Sequence, residues 1–317
     1  MSSSELALGI DFGGTSVKSG VVLGGEVVDT APPIATQDFE GPKPLIESLL
    51  QTIRGLRESH PGIAAIGIGM PGFVDFDQGI VHNLTNVPGW QGFPLRARLE
   101  ERVNLPVTVE NDANCMAYAE WKRGAGRGID HLIAITLGTG VGGGVVTNGR
   151  MVRGSRFGAG EVGQMSIDWQ GKPGHYGNLG ALEDYVGNQE IAVRAQELFA
   201  EAGQSKSLSE VTPRELSKLA HAGDEVALRL WDEIARRLAN VLMSCCWLLN
   251  PHAIIIGGGV ARAGDVLFNP LTSHLYAQLS DPFRENLMVL PARFGNEAGT
   301  VGAANLALEQ AGYVITP

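Results

Sequence analysis

The sequence predicts an α/β fold made of two similar halves, and three observations support this prediction. Short β-branched segments alternate with amphipathic helical segments along most of the 317 residues. The first half reads as three strands, then helix, strand, helix, strand, helix. The second half opens, like the first, with a strand, a glycine-rich turn and a second strand. This order is that of two ribonuclease-H-like domains, each a hairpin-led mixed sheet with helices on its faces.

The elements of the first half follow from their residue patterns. Apolar β-branched runs between turn residues predict strands at 6–11, 16–22, 26–30, 63–70 and from 107. Apolar residues at helical spacing predict helices at 42–59 and 93–103, and a further helix follows Asp112. A long irregular loop, which contains Asn83, Asn86 and Trp90, follows the strand at 63–70.

The second half repeats this scheme after residue 131. Strands are predicted at 131–137, 145–147, 253–256 and 287–290, and helices at 184–202, 212–221, 224–249, 266–279 and 297–310. The apolar face of the helix at 224–249 fits either a core or an interface. The segment 154–183 is irregular, and a loop of this length inside a domain is uncommon unless it is functional. The predicted domains are 1–120 and 121–298, with the C-terminal helix 299–317 joining the first.

Composition and charge exclude several classes of protein. A hydrophobic share of 44% with 18% charged residues is typical of a globular enzyme, whereas 43 glycines are about twice the usual ~7% share. A net charge of -10 argues against nucleic-acid and anionic-membrane partners. Three cysteines without CxxC spacing, no basic leader and no long apolar run predict a cytoplasmic protein.

The first glycine turn is a candidate phosphate site. Backbone N–H groups of Gly13, Gly14 and Thr15 are placed to form an anion nest, and Lys18 follows within reach of a phosphate. Asp11, at the end of the preceding strand, is a candidate to hold Mg²⁺ through water. The alternative is a plain glycine hairpin with a surface lysine. The turn is not a Walker P-loop, which needs GxxxxGK[ST] before a helix.

A second glycine turn, at Gly138, Thr139 and Gly140, is a candidate for the same role. Two such turns facing each other across an interdomain cleft would hold the phosphates of one nucleotide. Glycines 138, 140 and 143 also satisfy the pattern GxGxxG. The residues that follow, however, form a strand that ends at an Asn-Gly pair, which predicts a hairpin. A dinucleotide-binding unit needs a helix there. A third turn, at Gly257 and Gly258, fits contact with a flat ring such as adenine or a plain helix-entry turn.

The stretch VTVENDANCMAYAEW, at 107–121, carries the candidate catalytic residue. Its strand ends on Asn111 and Asp112 and turns directly into a helix. Open α/β sheets place their ligands at such carboxyl ends of strands. Asp112 is therefore either a catalytic base or only a cap for the helix, and this stretch alone favours neither reading.

Taken together, these motifs resemble the ROK family of bacterial sugar kinases and regulators, within the actin/hexokinase/Hsp70 ATPase superfamily. The resemblance runs from about residue 6 to 308 and rests on GIDFGGTSVK, GIGMPGFVD, VENDANCMAYAEW, TLGTGVGGGVV, GAGEVGQ, GNLGALED and IIIGGGV. It implies that Asp112 takes the proton from a sugar hydroxyl. The sugar contacts that it implies are Gly72, Asn83, Asn111, Asp112, Glu161, Gln164 and Glu183.

The same resemblance assigns ATP phosphates to the first two glycine turns, adenosine to Gly257 and Gly258, and Mg²⁺ as the metal. It implies an ATP-dependent hexose kinase acting on a 6-hydroxyl, with glucose the leading sugar and a homodimer as the assembly. Fructose, N-acetylmannosamine, N-acetylglucosamine and allose remain alternative sugars, and polyphosphate an alternative donor. A non-catalytic sugar sensor is the alternative from another class.

Two departures from the family pattern are visible. The four positions that usually ligate zinc are Gln164, Gly174, Tyr176 and Ala181 here, and none is a normal zinc ligand, so no zinc is predicted. His175 lacks a second ligand at suitable spacing and reads as a surface histidine. Repressor members carry a winged helix-turn-helix before the first glycine turn, whereas only five residues precede the first strand here. A DNA-binding role is therefore not expected.

Overall fold

The computed structural model describes residues 5–82 and 89–315. The described chain forms two compact units, each with its own sheet. Unit 1 is drawn from Met1–Gly128, Met151–Ala159 and Asn296–Pro317, and unit 2 from Ile129–Arg150 and Gly160–Gly295. Unit 1 therefore collects three separate passages of the chain.

The first passage through unit 1 contains eight strands and three helices among the described residues. The strands are β1 (Leu6–Phe12), β2 (Ser16–Leu23), β3 (Glu26–Thr30), β4 (Ile34–Ala35), β5 (Ile63–Met70), β6 (Val74–Asp75), β7 (Ile80–Val81) and β8 (Val107–Asn111). The helices are α1 (Pro42–Ser59), α2 (Leu95–Val103) and α3 (Asp112–Arg123). The short strands β4, β6 and β7 were not predicted, because two-residue strands are too short to show periodicity.

The sheet of unit 1 has the order β3-β2-β1-β5-β8, with β4 paired to β2. β1, β2 and β3 are antiparallel neighbours, whereas β1, β5 and β8 run parallel. Parallel strands bring their carboxyl ends to one edge. At this edge Asp11 lies opposite Gly69, and Met70 lies opposite Asn111. The predicted functional residues that follow β1 and β8 therefore share one edge of the sheet.

Unit 2 repeats the same sheet order. Its strands are β9 (Leu132–Leu137), β10 (Val141–Thr147), β11 (Arg150–Val152), β12 (Ala253–Gly257) and β13 (Met288–Pro291). They are ordered β11-β10-β9-β12-β13, with an antiparallel β9–β10 hairpin and parallel β9, β12 and β13. The helices that follow β11 are α4 (Glu183–Val186), α5 (Asn188–Glu201), α6 (Pro213–His221), α7 (Glu225–Leu249), α8 (Asp265–Tyr276) and α9 (Asp281–Arg284). The predicted pair of ribonuclease-H-like domains is confirmed.

Two predictions about the helices of unit 2 are resolved by the structure. The single helix predicted at 184–202 is wrong, because the chain breaks at Gly187 into α4 and α5. The apolar face of α7 is buried within unit 2, with Leu230, Trp231 and Ile234 all fully inaccessible to solvent. That face belongs to the core. No helix among the described residues is long and apolar enough to cross a membrane.

The last helix, α10 (Ala298–Gln310), returns to unit 1 and packs against its sheet. Glycines in the strands make this close approach possible. A Cβ at Gly9 in β1 would lie 1.9 Å from the Thr300 carbonyl oxygen, and one at Gly67 in β5 would lie 1.8 Å from that of Ala303. The opposite face buries Leu45, Leu49 and other residues of α1 in an aliphatic core. The sheet edge with Asp11 and Asn111 is thus supported on both faces.

Candidate active site

The turn between β8 and α3 places Asn111 and Asp112 at the edge of the sheet. Asn111 is the N-cap of α3, because its side-chain oxygen accepts a hydrogen bond from the Asn114 N–H at 3.0 Å. Its Nδ2 donates to the Gly72 carbonyl at 3.0 Å, so these two predicted sugar contacts touch. Asp112 is the first residue of the helix and is only partly buried. The reading of Asp112 as the helix cap is therefore wrong, since Asn111 has that role.

Beneath this turn the buried Glu110 forms an ion pair with the partly exposed Arg153, which was not predicted. Glu110 is 1% exposed, and its Oε2 accepts a hydrogen bond from Arg153 Nε at 2.7 Å. The arginine comes from the second passage of the chain through unit 1. A glutamate within an otherwise apolar strand signals a buried partner. The identity of that distant partner cannot be read from local sequence pattern.

The first glycine turn closes on itself as a hairpin. The Gly13 N–H donates to the Ser16 carbonyl at 2.9 Å, so it serves the turn and is not turned toward a phosphate. Gly14 and Thr15 remain exposed at the tip. Lys18 lies directly opposite Asp11 in the β1–β2 register. The predicted nest therefore loses the Gly13 N–H as a donor. Gly14, Thr15 and Lys18 are the groups that remain available to bind an anion.

Asp11 lies between this hairpin and the start of α10. A Cβ at Gly299 would lie 2.6 Å from Asp11 Oδ1, so the carboxylate contacts the first turn of that helix. Burial raises the pKa of Asp11 above its ordinary value, and the nearby charge of Lys18 offsets part of this rise. A partly desolvated carboxylate at a sheet edge, beside a lysine, fits a hydrated Mg²⁺ ion that also binds phosphate oxygens.

In unit 2, the second glycine turn rests on Glu183. Glu183 Oε2 accepts a hydrogen bond from the Val141 N–H at 2.9 Å, directly after the turn. A Cβ at Gly140 would lie 2.2 Å from the same oxygen. The Gly138 N–H donates to the Gly140 carbonyl at 2.9 Å, and the Gly138 carbonyl accepts from the Asn188 N–H at 2.9 Å. A predicted sugar contact and a predicted phosphate turn are thus joined in one local structure.

Glu161, Gln164 and Glu183 lie together. Gln164 Nε2 donates to Glu183 Oε1 at 3.3 Å. Burial, and secondly the neighbouring Glu183 charge, raise the pKa of Glu161 above its ordinary value. Burial also raises the pKa of Tyr176, with smaller contributions from Glu161 and Glu183. Two clustered carboxylates and an amide form a suitable set of acceptors and donors for sugar hydroxyls.

Hydrogen bonds hold the loop in which the usual zinc ligands are replaced by other residues. Residues 165–182 fold back as a narrow hairpin, with the Leu182 N–H donating to the Met165 carbonyl at 2.9 Å and the Ile167 N–H to the Gly180 carbonyl at 2.8 Å. Asn178 Nδ2 donates to the Gln164 carbonyl at 2.8 Å. Among residues 5–82 and 89–315, no group of three or more His, Cys, Asp or Glu is arranged to hold a metal.

The third glycine turn lies beside the second. A Cβ at Gly258 would lie 2.2 Å from the Leu137 carbonyl oxygen, at the end of β9. Next to it, Gly259 and Arg262 line an open cavity of about 870 Å³, together with Asn188 of α5 and Lys218 of α6. Asn188 is also bonded to Gly138, so the cavity begins where the second glycine turn ends. Such a volume suits a nucleoside-sized ligand.

His175 is exposed, as predicted, and its ring contacts that of Tyr176 edge to face. The Thr139 carbonyl lies close to Gly187, where the helix breaks. Asn83 and Asn86 lie outside the described residues. Cys115, Cys245 and Cys246 are free and buried.

The same fold is found among solved structures. The glucokinase of Streptomyces griseus, solved with glucose and AMPPNP, has a TM-score of 0.82 at 32% identity, covering 96% of this chain and 99% of that one. The class is thus the two-domain actin-like ATPase fold. Within it, the chain belongs to the ROK family, whose profile matches residues 7–310.

Two curated relatives extend this finding over the whole chain. The glucokinase of Halalkalibacterium halodurans is 35% identical, over 97% of this chain and 96% of its own length. The glucokinase of Streptomyces coelicolor is 34% identical, over 96% of this chain and 98% of its own length.

Proposed function

We propose that this protein is an ATP-dependent glucokinase, which transfers a phosphoryl group to the 6-hydroxyl of glucose. Full-length similarity to several glucokinases carries the proposal, since these relatives match nearly the whole chain at 32–35% identity. The alternative sugars are fructose, N-acetylmannosamine, N-acetylglucosamine and allose, and a non-catalytic sensor is the alternative from another class. The partly buried carboxylate of Asp112, retained at the sheet edge, favours the enzyme.

Asp112 is proposed as the general base. Phosphoryl transfer needs a positioned hydroxyl and a group that accepts its proton, and a carboxylate at the start of a helix can do both. Asn111 and the Gly72 backbone, which are already bonded to each other, would border the same hydroxyl. Glu161, Gln164 and Glu183 would be the contacts for other hydroxyls. The contribution of Asn83 to sugar binding stays a prediction.

ATP is proposed as the donor because unit 2 offers connected places for a nucleotide. The second glycine turn would take phosphate oxygens, and the adjoining cavity at Gly259 and Arg262 would take the nucleoside. Gly257 and Gly258 would let the base approach the backbone. In unit 1, Gly14, Thr15 and Lys18 would bind phosphate, and Asp11 would hold Mg²⁺ through water. When bound there, the ion would neutralise charge on the phosphates. A cytoplasmic homodimer without zinc completes the proposal.

The proposal is tested with purified protein, Mg²⁺, and a panel of the five sugars with either ATP or polyphosphate as donor. Glucose with ATP should give the highest kcat/KM. A protein that binds glucose but produces no ADP with any sugar would instead be a sensor, and turnover with polyphosphate alone would overturn the ATP assignment.

The role of Asp112 is tested by Asp112→Asn. Removal of a general base should lower kcat by about 10²- to 10⁴-fold, while calorimetry shows that glucose still binds. The control Glu58→Gln removes an exposed carboxylate from α1 and should leave turnover unchanged. Wild-type kcat in Asp112→Asn would eliminate Asp112 as the base.

A further inference from the structure

The ion pair between the buried Glu110 and the partly exposed Arg153 has a defined geometry. Arg153 Nε donates to Glu110 Oε2 at 2.7 Å, and the guanidinium lies 3.8 Å from the centroid of the Phe76 ring. Stacking on Phe76 and bonding to Glu110 together fix the orientation of the arginine. Because Glu110 is 1% exposed, this oxygen of its carboxylate is held almost without access to water.

The second oxygen of Glu110 faces the turn between β8 and α3, which carries Asp112. Glu110 Oε1 accepts a hydrogen bond from the Asn111 N–H at 2.9 Å and another from Asn114 Nδ2 at 3.1 Å. These two donors lie on either side of Asp112 in the sequence. One carboxylate therefore braces both ends of the short segment that carries the base. Asn111 is further fixed by its bonds to Asn114 and Gly72.

An ion pair with a buried partner is weak evidence for stability, because desolvation of the buried Glu110 charge offsets much of the attraction. Well-packed apolar residues often stabilise a protein as much. The geometry of this pair instead indicates that it orients a neighbouring group. Arg153 makes no hydrogen bond to the turn among its described contacts, but it fixes which oxygen of Glu110 faces the turn. A catalytic group displaced by about 1 Å can lose on the order of 10²-fold in rate.

We propose that Glu110 and Arg153 are positioning residues that hold Asp112 in its catalytic orientation. The inference rests on the proposed function, in which Asp112 is the base. It adds a requirement for full activity: the segment 151–159, which ends two residues before Glu161, must stay packed in unit 1. The pair touches neither substrate in this scheme and acts only through the turn.

The central experiment compares two variants and a control. The double variant Glu110→Gln/Arg153→Met removes both charges at once, so no lone buried charge remains, and Arg153→Lys keeps a charged donor but loses the planar stack on Phe76. The control Glu47→Gln/Arg102→Met removes a bidentate pair on the surface of the same unit. For each protein, kcat, KM for glucose, KM for ATP and Tm are measured.

Positioning predicts a specific pattern. In the double variant kcat should fall about 10- to 100-fold while both KM values change less than about threefold, and Tm should stay near that of the wild type. Arg153→Lys should have an intermediate kcat, and the control should match the wild type. A double variant with wild-type kcat would overturn the proposal, as would a fall in kcat that only follows the loss of folded protein. If the double variant does not fold, Arg153→Lys decides: lowered kcat at unchanged Tm supports the proposal, and wild-type kcat overturns it.

Hydrogen exchange separates this inference from the proposed function. The amides of residues 107–118 should exchange about tenfold faster in the double variant than in the wild type, with other segments unchanged. If wild-type protein phosphorylates none of the sugars, the proposed function fails, and exchange still shows whether the pair orders the turn. Unchanged exchange in this segment would overturn the positioning role in either case.

Discussion

At the scale of single residues, Asp112 and Glu110 show what sequence can and cannot predict. Asp112 was recognisable because acidic and amide residues stand where a strand turns into a helix. The role of Asn111 as the cap required coordinates, since Asn111, Asp112 and Asn114 are all suitable cap residues. Arg153 was not recognisable as the partner of Glu110, because 43 positions separate the two residues. Local pattern carries no information about such pairs.

The raised pKa of Glu161 leads to a prediction about stability and pH. Because burial and Glu183 raise the pKa above its ordinary value of 4.5, the folded protein holds this proton more tightly than the unfolded chain does. The stabilising contribution of protonated Glu161 is therefore complete below pH 4.5. It is lost as the pH rises through the raised pKa of the folded protein. Glu161→Gln should melt at a higher temperature than the wild type at pH 7, and this difference should shrink toward pH 4.5.

In contrast to its stability, the affinity of Glu161→Gln for glucose should decrease. Loss of a charged acceptor for a sugar hydroxyl should raise KM for glucose by about 10- to 100-fold, which corresponds to the usual ~1.5–3 kcal/mol of such a bond. Melting curves from pH 4 to pH 8 and glucose titrations measure the two effects. A melting difference that grows as the pH falls would show that the sign of the pKa shift is wrong.

At the scale of elements, amphipathic helices were predicted best. The bounds of α1 are those predicted, since its apolar residues recur at helical spacing over its whole length. The break at Gly187 was missed, although the Gly-Asn pair there is a recognised turn signal. Its cause is tertiary, because the Asn188 N–H is bonded to the Gly138 carbonyl. The narrow hairpin at 165–182 was also not predicted, because the residues that its backbone hydrogen bonds join show no hydrophobic periodicity.

The second glycine turn offers a matched pair of substitutions. A Cβ at Gly140 would lie 2.2 Å from Glu183 Oε2, whereas a Cβ at Gly138 meets no atom within 4 Å. Gly140→Ala should therefore displace Glu183 from the Val141 N–H and lower kcat/KM for glucose by at least about tenfold, the loss expected for one charged hydrogen bond. Gly138→Ala leaves the contact between Glu183 and Val141 intact, so its kcat/KM for glucose, measured at saturating ATP, should fall much less. Equal losses in the two variants, measured in the same coupled assay, would contradict the contact between Gly140 and Glu183.

At the scale of the whole molecule, the chain ends by returning to the unit where it began. The repeated sheet order was predictable from the two strand–glycine–strand segments. The strands of unit 1 reveal how α10 is accommodated, because Gly9 and Gly67 leave room for its backbone. A third glycine, Gly302 of α10, makes the contact with α3. A Cβ there would lie 1.7 Å from the Cys115 carbonyl oxygen. Residues near the two ends of the chain are therefore needed to complete the same unit.

Gly302→Ala should destabilise unit 1 by at least about 2 kcal/mol, because the added methyl meets backbone that cannot move aside cheaply. Gly55→Ala is the matched control, since Gly55 also lies inside a helix but a Cβ there meets no atom within 4 Å. It should stabilise the protein by about 0.5–1 kcal/mol.

The three cysteines allow each unit to be followed separately. Cys115 lies in unit 1, Cys245 and Cys246 lie in unit 2, and all three are buried, so each thiol reacts only when its surroundings open. In Gly302→Ala the urea midpoint for labelling of Cys115 should fall, because α10 and α3 no longer fit together. The midpoint should rise slightly in Gly55→Ala. If the Cys115 midpoint were the same in Gly302→Ala and the wild type, the close crossing of α10 over α3 would not contribute to the stability of unit 1.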